Sequence, residues 1–353
     1  MAATAAANLQ ARGLAAGFGF LARPSGFDIA QTLVPYGPTD SHARVFLVGA
    51  LNTLLVAVLG VVLATVFGVA AGVARGSSSL ALRGAATVYV EAARNTPLPI
   101  QLLIWYSLVT AAPPPRAALA LPGGAWLTNR GLHLPTIVWS WPTPWVLAAF
   151  TACALVGVGG AWLLGRRRRV EGHGPSPWLA VAVAAGAMAV AWTAAHGRPE
   201  PPRLEGFGFT GGATVSPPLV SLVLALTVYT GGYIAEVVRG GLEAAPRGQW
   251  EAARALGLRN GAVLGRVVLP QALRIIAPPL VSQYLNLLKN SSLAVVVGYP
   301  DLVATFGGTS LNQTGQAIET LGLVLAFYLV VCLGLSAGVN AWSRRQARWA
   351  DAR

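Results

Sequence analysis

The chain has 353 residues, of which 54% are hydrophobic and only 10% are charged, and its formal net charge is +13. Soluble domains carry about 25% charged residues, so this composition excludes an ordinary soluble protein and indicates a polytopic membrane protein. The arginines lie in loops between apolar segments and form no basic stripe on a soluble domain, which argues against nucleic-acid binding. The two cysteines lie in apolar segments and the four histidines lack ligand spacing, so we predict no metal site.

Seven segments of about 20 apolar residues are long enough to cross a bilayer, which predicts an all-α transmembrane bundle. The second segment is interrupted by Pro97 and Pro99, which cannot occupy a regular helix interior. The bundle is residues 46–342, with an external segment 1–45 before it, a cytoplasmic tail 343–353 after it, and an insertion 113–218 that holds two extra spans. The predicted spans are residues 46–74, 85–112, 145–164, 178–195, 219–238, 275–297 and 321–342.

Arginines occur in alternate loops, and this alternation predicts the orientation of the chain. The loop 298–319 contains no lysine or arginine, whereas the loops after the first, third, fifth and seventh spans are rich in arginine. By the positive-inside rule the arginine-rich loops face the cytoplasm and the amino terminus faces outside. The arginines concerned are Arg75 and Arg83, residues 166–169, then Arg247, Arg254, Arg259 and Arg266, and finally Arg344, Arg345, Arg348 and Arg353.

The cytoplasmic loop between the fifth and sixth spans contains an ordered stretch, residues 247–270, which we call the elbow. Pro246 suits the start of a helix, Gly257 can end that helix in a left-handed conformation, and Asn260 can cap a second helix. Pro270 cannot continue the second helix as an interior residue. The small side chains of Ala252 and Ala253 allow another protein to approach closely. The pattern therefore predicts a docking surface rather than a catalytic site.

The elbow resembles the EAA loop of ABC importer permeases, with valine where that family has isoleucine. In the family this loop sits in a groove of a cytoplasmic ATPase, so the resemblance implies a type I ABC importer permease fold and a coupling role. The alternative is an ordinary connector between two spans. The matching residues, at the family's spacing, are Glu251, Ala252, Ala253, Gly257, Val267, Leu269 and Pro270.

The similarity extends over nearly the whole chain to the polar amino acid branch of these permeases, which handles histidine, glutamate, glutamine, arginine and opines. It is closest to permease subunits of general L-amino-acid or glutamate/glutamine/aspartate importers. Long members begin with another apolar helix, whereas this chain starts at a segment that follows it. The resemblance implies a cytoplasmic-membrane location, a second permease subunit, two copies of an ABC ATPase and a periplasmic amino-acid-binding protein. The stretches that carry it are residues 17–29, 48–57, 89–106, 127–135 and 288–302.

The sequence contains no GxxxxGK[ST] motif, because its single lysine, Lys289, follows a leucine. We therefore expect no ATPase site and no cofactor in this chain, with ATP bound by the partner subunit. An alternative function is an ion-coupled secondary transporter, which predicts carboxylates in the membrane and inverted repeats. No convincing internal repeat is visible. A non-transporting membrane scaffold or sensor is a third possibility, and it predicts no substrate-dependent ATPase activity in the complex.

Two polar stretches lie within the predicted spans, and an amino acid zwitterion needs such groups to cross hydrocarbon. We predict that they line the substrate path, with Arg94 or Lys289 meeting a carboxylate. In the alternative interpretation they hold helices together, with Glu91 and Arg94 as an ion pair. The group Tyr229, Thr230, Tyr233 and Glu236 presents a weaker case. The path candidates are Arg94, Asn95, Thr96 and Pro97 in the second span, and Lys289, Asn290, Ser291 and Ser292 in the sixth.

Overall fold

The structure is a computed structural model that describes residues 17–138, 148, 151–155, 157, 160, 177–194, 198–244 and 246–351. The predicted third span, residues 145–164, lies almost wholly outside the described residues. The chain separates into two compact units. We call them the transmembrane unit, which comprises Met1–Thr110 and Pro217–Arg353, and the insertion unit, which comprises Ala111–Ser216.

The transmembrane unit is mostly helical from His42 onward, with short 3₁₀ and π segments at its breaks, whereas residues 23–41 before the first long helix are turns and irregular backbone. Among the described residues, the helices long and apolar enough to cross a membrane are α1 (His42–Arg75), α5 (Pro217–Glu243) and the first 22 residues of α10 (Ala317–Asp351). Helix α4 (Pro177–Ala194), which covers most of the predicted fourth span, belongs to the insertion unit. The helices of the transmembrane unit are α1 (His42–Arg75), α2 (Leu80–Asn95), α3 (Leu98–Thr110), α5 (Pro217–Glu243), α6 (Arg247–Ala255), α7 (Asn260–Val263), α8 (Leu269–Asn290), α9 (Leu311–Thr314) and α10 (Ala317–Asp351).

Helix α5 is the central helix of the transmembrane unit and packs most extensively against α1. Two glycines of α1, Gly68 and Gly72, allow the two backbones to meet. A Cβ at Gly68 would lie 2.6 Å from the Cβ of Ile234, and one at Gly72 would lie 2.7 Å from the carbonyl oxygen of Ala235. The GxxxG spacing in α1 is thus a packing site, whereas Gly334 in α10 has nothing within 4 Å of its added Cβ.

The segment before α1 and the connection between α8 and α10 form a shared apolar cluster with α1. Phe20, from the 3₁₀ turn Phe18–Ala22, is fully buried against Val45, Val48 and Phe306. Phe306 belongs to the π segment Val303–Ser310. The contact joins two parts of the chain that the arginine pattern predicts to be external. It therefore agrees with the predicted orientation.

The insertion unit contains short antiparallel strands from both of its external loops. The four-stranded sheet has the order β1-β2-β3-β8, and β4 pairs with β5. Strand β8 follows the two predicted inserted spans while β3 precedes them, so these pairings bring both loops together and agree with the same-side arrangement that the arginine pattern predicts. The strands are β1 (Leu119–Leu121), β2 (Ala125–Thr128), β3 (Gly131–Leu134), β4 (Thr136–Val138), β5 (Arg198–Glu200), β6 (Arg203–Glu205), β7 (Gly208–Thr210) and β8 (Ala213–Val215).

Candidate functional site: the elbow and the polar stretches

The first helix of the elbow, α6, ends in a hydrogen-bonded glycine motif. Gly257 adopts a φ of +77°, which L side chains rarely adopt. Its N–H donates to the carbonyl of Arg254 at 2.9 Å, and the N–H of Leu258 donates to the carbonyl of Ala253 at 3.2 Å. These are the two bonds of a Schellman cap, so the glycine is required by the backbone geometry of the turn. The predicted start after Pro246 and end at Gly257 are both present.

The two alanines of the motif have different environments. Ala253 is only 4% exposed and packs against Val263 and Val268, with Trp250 and Leu258 around them. Ala252 is exposed. Ala253 therefore holds the elbow together, and Ala252 is the member free to contact another protein. Successive helical residues are 100° apart, so Gly248, Ala252 and Ala255 share one exposed face of small side chains.

Leu256 is a site residue that sequence reasoning missed. Its side chain is 81% exposed at the end of α6, beside the small face. A single exposed leucine is common on protein surfaces, so Leu256 is a candidate only because it adjoins the exposed face of small side chains in a loop that the arginine pattern predicts to be cytoplasmic. The sequence does place Leu256 immediately before Gly257, the glycine predicted to end α6, and this position at the helix end was the available sign of its exposure.

The second arm of the elbow differs from the prediction. Asn260 does not cap a helix. It is the first residue of α7, and Arg259 accepts the first backbone bonds, from Ala262 at 2.8 Å and Val263 at 3.0 Å. The π segment Leu264–Val268 then joins this turn to α8. Pro270 lies in the first turn of α8, where its missing N–H costs no hydrogen bond. The elbow is therefore one short helix, α6, followed by a helical turn and a π segment that continue directly into α8. Glu251 and Leu269 are exposed.

The second predicted span is broken at Pro97, and Gln101 stabilises the break. Helix α2 ends at Asn95 and α3 starts at Leu98. Proline at 97 leaves the carbonyl of Ala93 without its helical donor. The Nε2 of buried Gln101 donates to this carbonyl at 2.8 Å and to the carbonyl of Thr96 at 3.0 Å. Sequence reasoning identified the interruption by proline but not the role of Gln101. Pro99 lies within the first turn of α3 and causes no second break.

Arg94 does not pair with Glu91, so the predicted ion pair is wrong. Its guanidinium lies 3.7 Å from Glu236 of α5 and 5.4 Å from the centre of the Tyr233 ring. Glu91 lies 3.9 Å from Arg75 and accepts a 3.4 Å hydrogen bond from Asn95. Arg94 lies near Glu236 rather than Glu91 because the packing of α5 against α2 brings the Glu236 carboxylate to it. The i, i+3 spacing of Glu91 and Arg94 cannot show this contact with a distant helix.

Glu236 is the centre of an ion-pair cluster that joins α1, α2 and α5. Its two carboxylate oxygens contact Arg75 and Arg239 directly, and Arg94 lies nearby. Arg239 also contacts Glu243 at 2.6 Å. The Glu236–Arg239 pair is therefore part of a larger network. Sequence reasoning missed the Arg75 contact, which spans 161 residues.

The polar stretch in the sixth span is only partly available to a substrate. Ser291 is buried, and its hydroxyl donates to the carbonyl of Leu288 at 2.7 Å. The hydroxyl of Ser292 donates to the carbonyl of Lys289 at 2.7 Å. Both hydroxyls thus donate to backbone carbonyls of their own segment. Asn290 is half-buried, and Lys289 is exposed.

Lys289 shares one face of α8 with Ser282 and Asn286, which sequence reasoning missed. The three are exposed at spacings of four and three residues, and within the described part of the chain none makes a hydrogen bond or ion pair. We call them the polar stripe. The 3₁₀ segment Ser291–Val297 that follows packs against α3 and α5, so both predicted polar stretches belong to neighbouring elements.

Asp301 is a buried carboxyl in the connection between α8 and α10. One of its oxygens accepts the N–H of Ala304 at 2.8 Å, while Oδ2 has no partner among the described residues. No described arginine or lysine pairs with it. Burial raises the pKa of Asp301 to about 7 from its ordinary value of 3.8.

Replacing Asp301 by asparagine is expected to remove a pH-dependent component of stability. Since the folded pKa is above the unfolded one, folding takes up a proton between about pH 4 and pH 7. The wild-type stability from this group is present at low pH and lost as pH rises through 7. Melting temperatures of the detergent-solubilised protein from pH 5 to pH 8 should fall in the wild type and change less in Asp301→Asn. Equal pH slopes would contradict the assignment.

Comparison with known proteins places these features in a family. The model for "Binding-protein-dependent transport system inner membrane component" matches residues 64–349. Putative amino-acid ABC transporter permease protein YhdX of Escherichia coli K12 is 43% identical, over 96% of this chain and 88% of its own length. General L-amino acid transport system permease protein AapQ of Rhizobium johnstonii is 41% identical, over 97% of this chain and 86% of its own length.

Two further comparisons concern a third relative and the fold. Glutamate/glutamine/aspartate/asparagine transport system permease protein BztB of Rhodobacter capsulatus is 38% identical, over 96% of this chain and 87% of its own length. A crystal structure of an amino acid ABC transporter with histidines aligns with a TM-score of 0.51 at 21% identity, over 86% of this chain and 95% of that one. The chain belongs to the family of inner membrane components of binding-protein-dependent transport systems.

Proposed function

We propose that this chain is the permease subunit of an ABC importer that carries polar L-amino acids, of the glutamate/glutamine/aspartate class or a broader range, across the cytoplasmic membrane. The observation that carries the proposal is the geometry of the elbow. It is a self-packed turn, closed at Gly257, that presents small side chains and exposed Leu256 on the side predicted to be cytoplasmic. The names of the three relatives supply the amino acid substrate class.

The chain has no phosphate-binding loop of its own, so a separate ATPase must supply the energy for transport. The elbow is the surface on which that ATPase docks. ATP is therefore bound by the partner, and this chain holds no cofactor. Glu251, Ala252, Leu256, Gly257 and Leu269 are the exposed members of the docking surface. Ala253 supports that surface from inside, and Pro270 starts the helix that receives the movement. A second permease subunit and a periplasmic amino-acid-binding protein complete the importer.

The polar stripe on α8 lines the substrate path together with Arg94. An unpaired lysine facing lipid at mid-membrane costs about 3 kcal/mol, so Ser282, Asn286 and Lys289 need water or a second subunit in front of them. Lys289 then meets the substrate carboxylate. Asn95, Thr96 and Pro97 contribute the broken helix end beside Arg94, and Asn290 borders the stripe. Ser291 and Ser292 shape the segment without contacting substrate.

The two carboxylates within the predicted spans, Glu91 and Glu236, are both engaged by arginines. Glu236 is neutralised by Arg75 and Arg239, and Glu91 lies beside Arg75. A carboxylate held by arginines is a poor proton or sodium carrier, because the bound cation must compete with fixed charges. ATP-driven transport therefore fits the site better.

The coupling proposal is tested by crosslinking. A cysteine at Ala252, in a background with Cys153 and Cys332 replaced by alanine, is expected to crosslink to the ATPase subunit encoded with this chain. A cysteine at Thr309, on the predicted external side, is the control and should not crosslink. Reconstituted vesicles should then take up glutamate or glutamine only with internal ATP. Crosslinking from Thr309 but not from Ala252, or uptake that needs an ion gradient instead of ATP, would overturn the proposal.

A further inference from the structure

The insertion unit contains a pocket of about 370 Å³ that the proposed transport mechanism does not use. Its walls come from three stretches of the two external loops: the 3₁₀ turn Pro115–Ala117, strand β2, and the β6–β7 hairpin. The volume is within the range of ligand pockets in proteins. The lining residues are Pro115, Arg116, Ala117, Ala118, Trp126, Pro202, Leu204 and Phe209.

The aromatic wall of this pocket is fixed by the strands behind it. The ring centres of Trp126 and Phe209 are 5.9 Å apart, and His133 stacks on Phe209 at 4.4 Å. His133 is itself held by Thr128 at 3.1 Å and Thr214 at 3.0 Å, in a sheet where it is the register partner of Trp126. The wall is therefore preformed, which reduces the conformational entropy lost when a ligand binds.

Arg116 supplies the single charge at the pocket. Its guanidinium carbon lies 4.2 Å from the centre of the Phe207 ring. A guanidinium stacked on a ring keeps its N–H groups directed outward in its own plane. Within the described residues, those N–H groups make no hydrogen bond or ion pair. This arrangement orients the donors for a carboxylate, which guanidinium binds in bidentate geometry.

The charge balance points to an anionic ligand rather than a zwitterion. The described part of the insertion unit carries four arginines and two glutamates, and neither glutamate lines the pocket. The ammonium of a free amino acid would find no carboxylate there. Leu204, which lines the pocket, and Phe207, which lies beneath Arg116, are 46% and 72% exposed, so apolar surface borders the pocket and the arginine.

We infer that this pocket receives an acidic segment of an external protein, with a carboxylate on Arg116 and a neighbouring apolar side chain against Trp126 and Phe209. The contact adds an external docking point to the importer. The inference rests on the proposed function in one respect: the importer is what gives an external protein a reason to dock on this chain.

The test uses the full-length chain in nanodiscs, without ATP, and two blocked peptides, acetyl-Leu-Glu-Phe-amide and acetyl-Leu-Gln-Phe-amide. The glutamate peptide is expected to bind at least tenfold more tightly by saturation-transfer NMR. Arg116→Gln should remove that preference, and Trp126→Ala should weaken both peptides. Arg130→Gln is the control, because Arg130 already donates to the carbonyl of Phe207 at 3.1 Å.

Three outcomes would overturn the inference: equal binding of the two peptides, a preference that survives in Arg116→Gln, or no binding of either peptide up to 10 mM. If Arg116→Gln instead lowers only the affinity of the nanodisc protein for vesicles rich in anionic lipid, the arginine serves headgroups and the inference is also wrong. Since no ATP or uptake enters this measurement, its failure leaves the coupling proposal intact, and failure of coupling leaves this site intact.

Discussion

Replacing Ala252 by tryptophan is expected to lower ATP-driven uptake at least tenfold while leaving the subunit folded. Ala252 is exposed on the small face of α6, so the indole meets nothing within its own elbow. We expect the indole to clash with the partner, because a face of glycine and alanine is suited to close approach and a bulky ring prevents it. The tenfold loss corresponds to about 1.4 kcal/mol of coupling free energy. The measurement is uptake together with substrate-stimulated ATP hydrolysis in the same vesicles.

Two variants separate the docking effect from a folding effect. Ala253→Trp places the same bulk into the buried cluster with Val263 and Val268, and should lower the melting temperature. Gly334→Trp places it in open space on α10, and should leave both uptake and melting temperature near wild type. Ala252→Trp should have the same melting temperature as Gly334→Trp but a much lower rate of uptake. If Ala252→Trp transports at the wild-type rate, the small face of α6 is not the docking surface.

The elbow shows which parts of a site can be predicted from local sequence. The helix end at Gly257 could be predicted because a left-handed residue needs glycine, and the chain has one at the right place. The different roles of Ala252 and Ala253 could not, because they depend on Val263 and Val268 folding back from the second arm. The π segment was likewise invisible, since no residue type marks an extra residue in a helical turn.

Contacts between distant helices were the other limit of sequence reasoning. The break at Pro97 followed from the missing N–H, but Gln101 as the replacement donor depends on the direction in which α3 leaves the break. The packing role of Gly68 and Gly72 likewise depends on the position of α5, which the local sequence does not show. Lys289 could be identified from its charge alone. That it shares an exposed face with Ser282 and Asn286, whereas Ser291 is buried, could be seen only from the exposure of each side chain in the structure.

Replacing Glu236 by alanine is expected to destabilise the transmembrane unit by about 3 kcal/mol, because Arg75 and Arg239 lose their shared carboxylate in a partly buried cluster. Arg75 is the more buried of the two, with 13% of its side chain exposed. Glu243→Ala is the matched control. Its side chain is 61% exposed and contacts Arg239 alone, so its removal should cost less than about 1 kcal/mol. Chemical unfolding in mixed detergent micelles measures both.

The double variant Arg75→Ala with Glu236→Ala decides whether these two charges act as a pair. It should be less destabilised than the sum of the single variants, because no buried charge is then left alone. Strict additivity would show that each residue acts separately. The pairing matters for transport, because α5 leads directly into the elbow while Arg94 stands beside the break at Pro97. If the ion pairs of Glu236 carry movement from the elbow to the broken helix, Glu236→Ala should reduce uptake even at temperatures where the subunit remains folded.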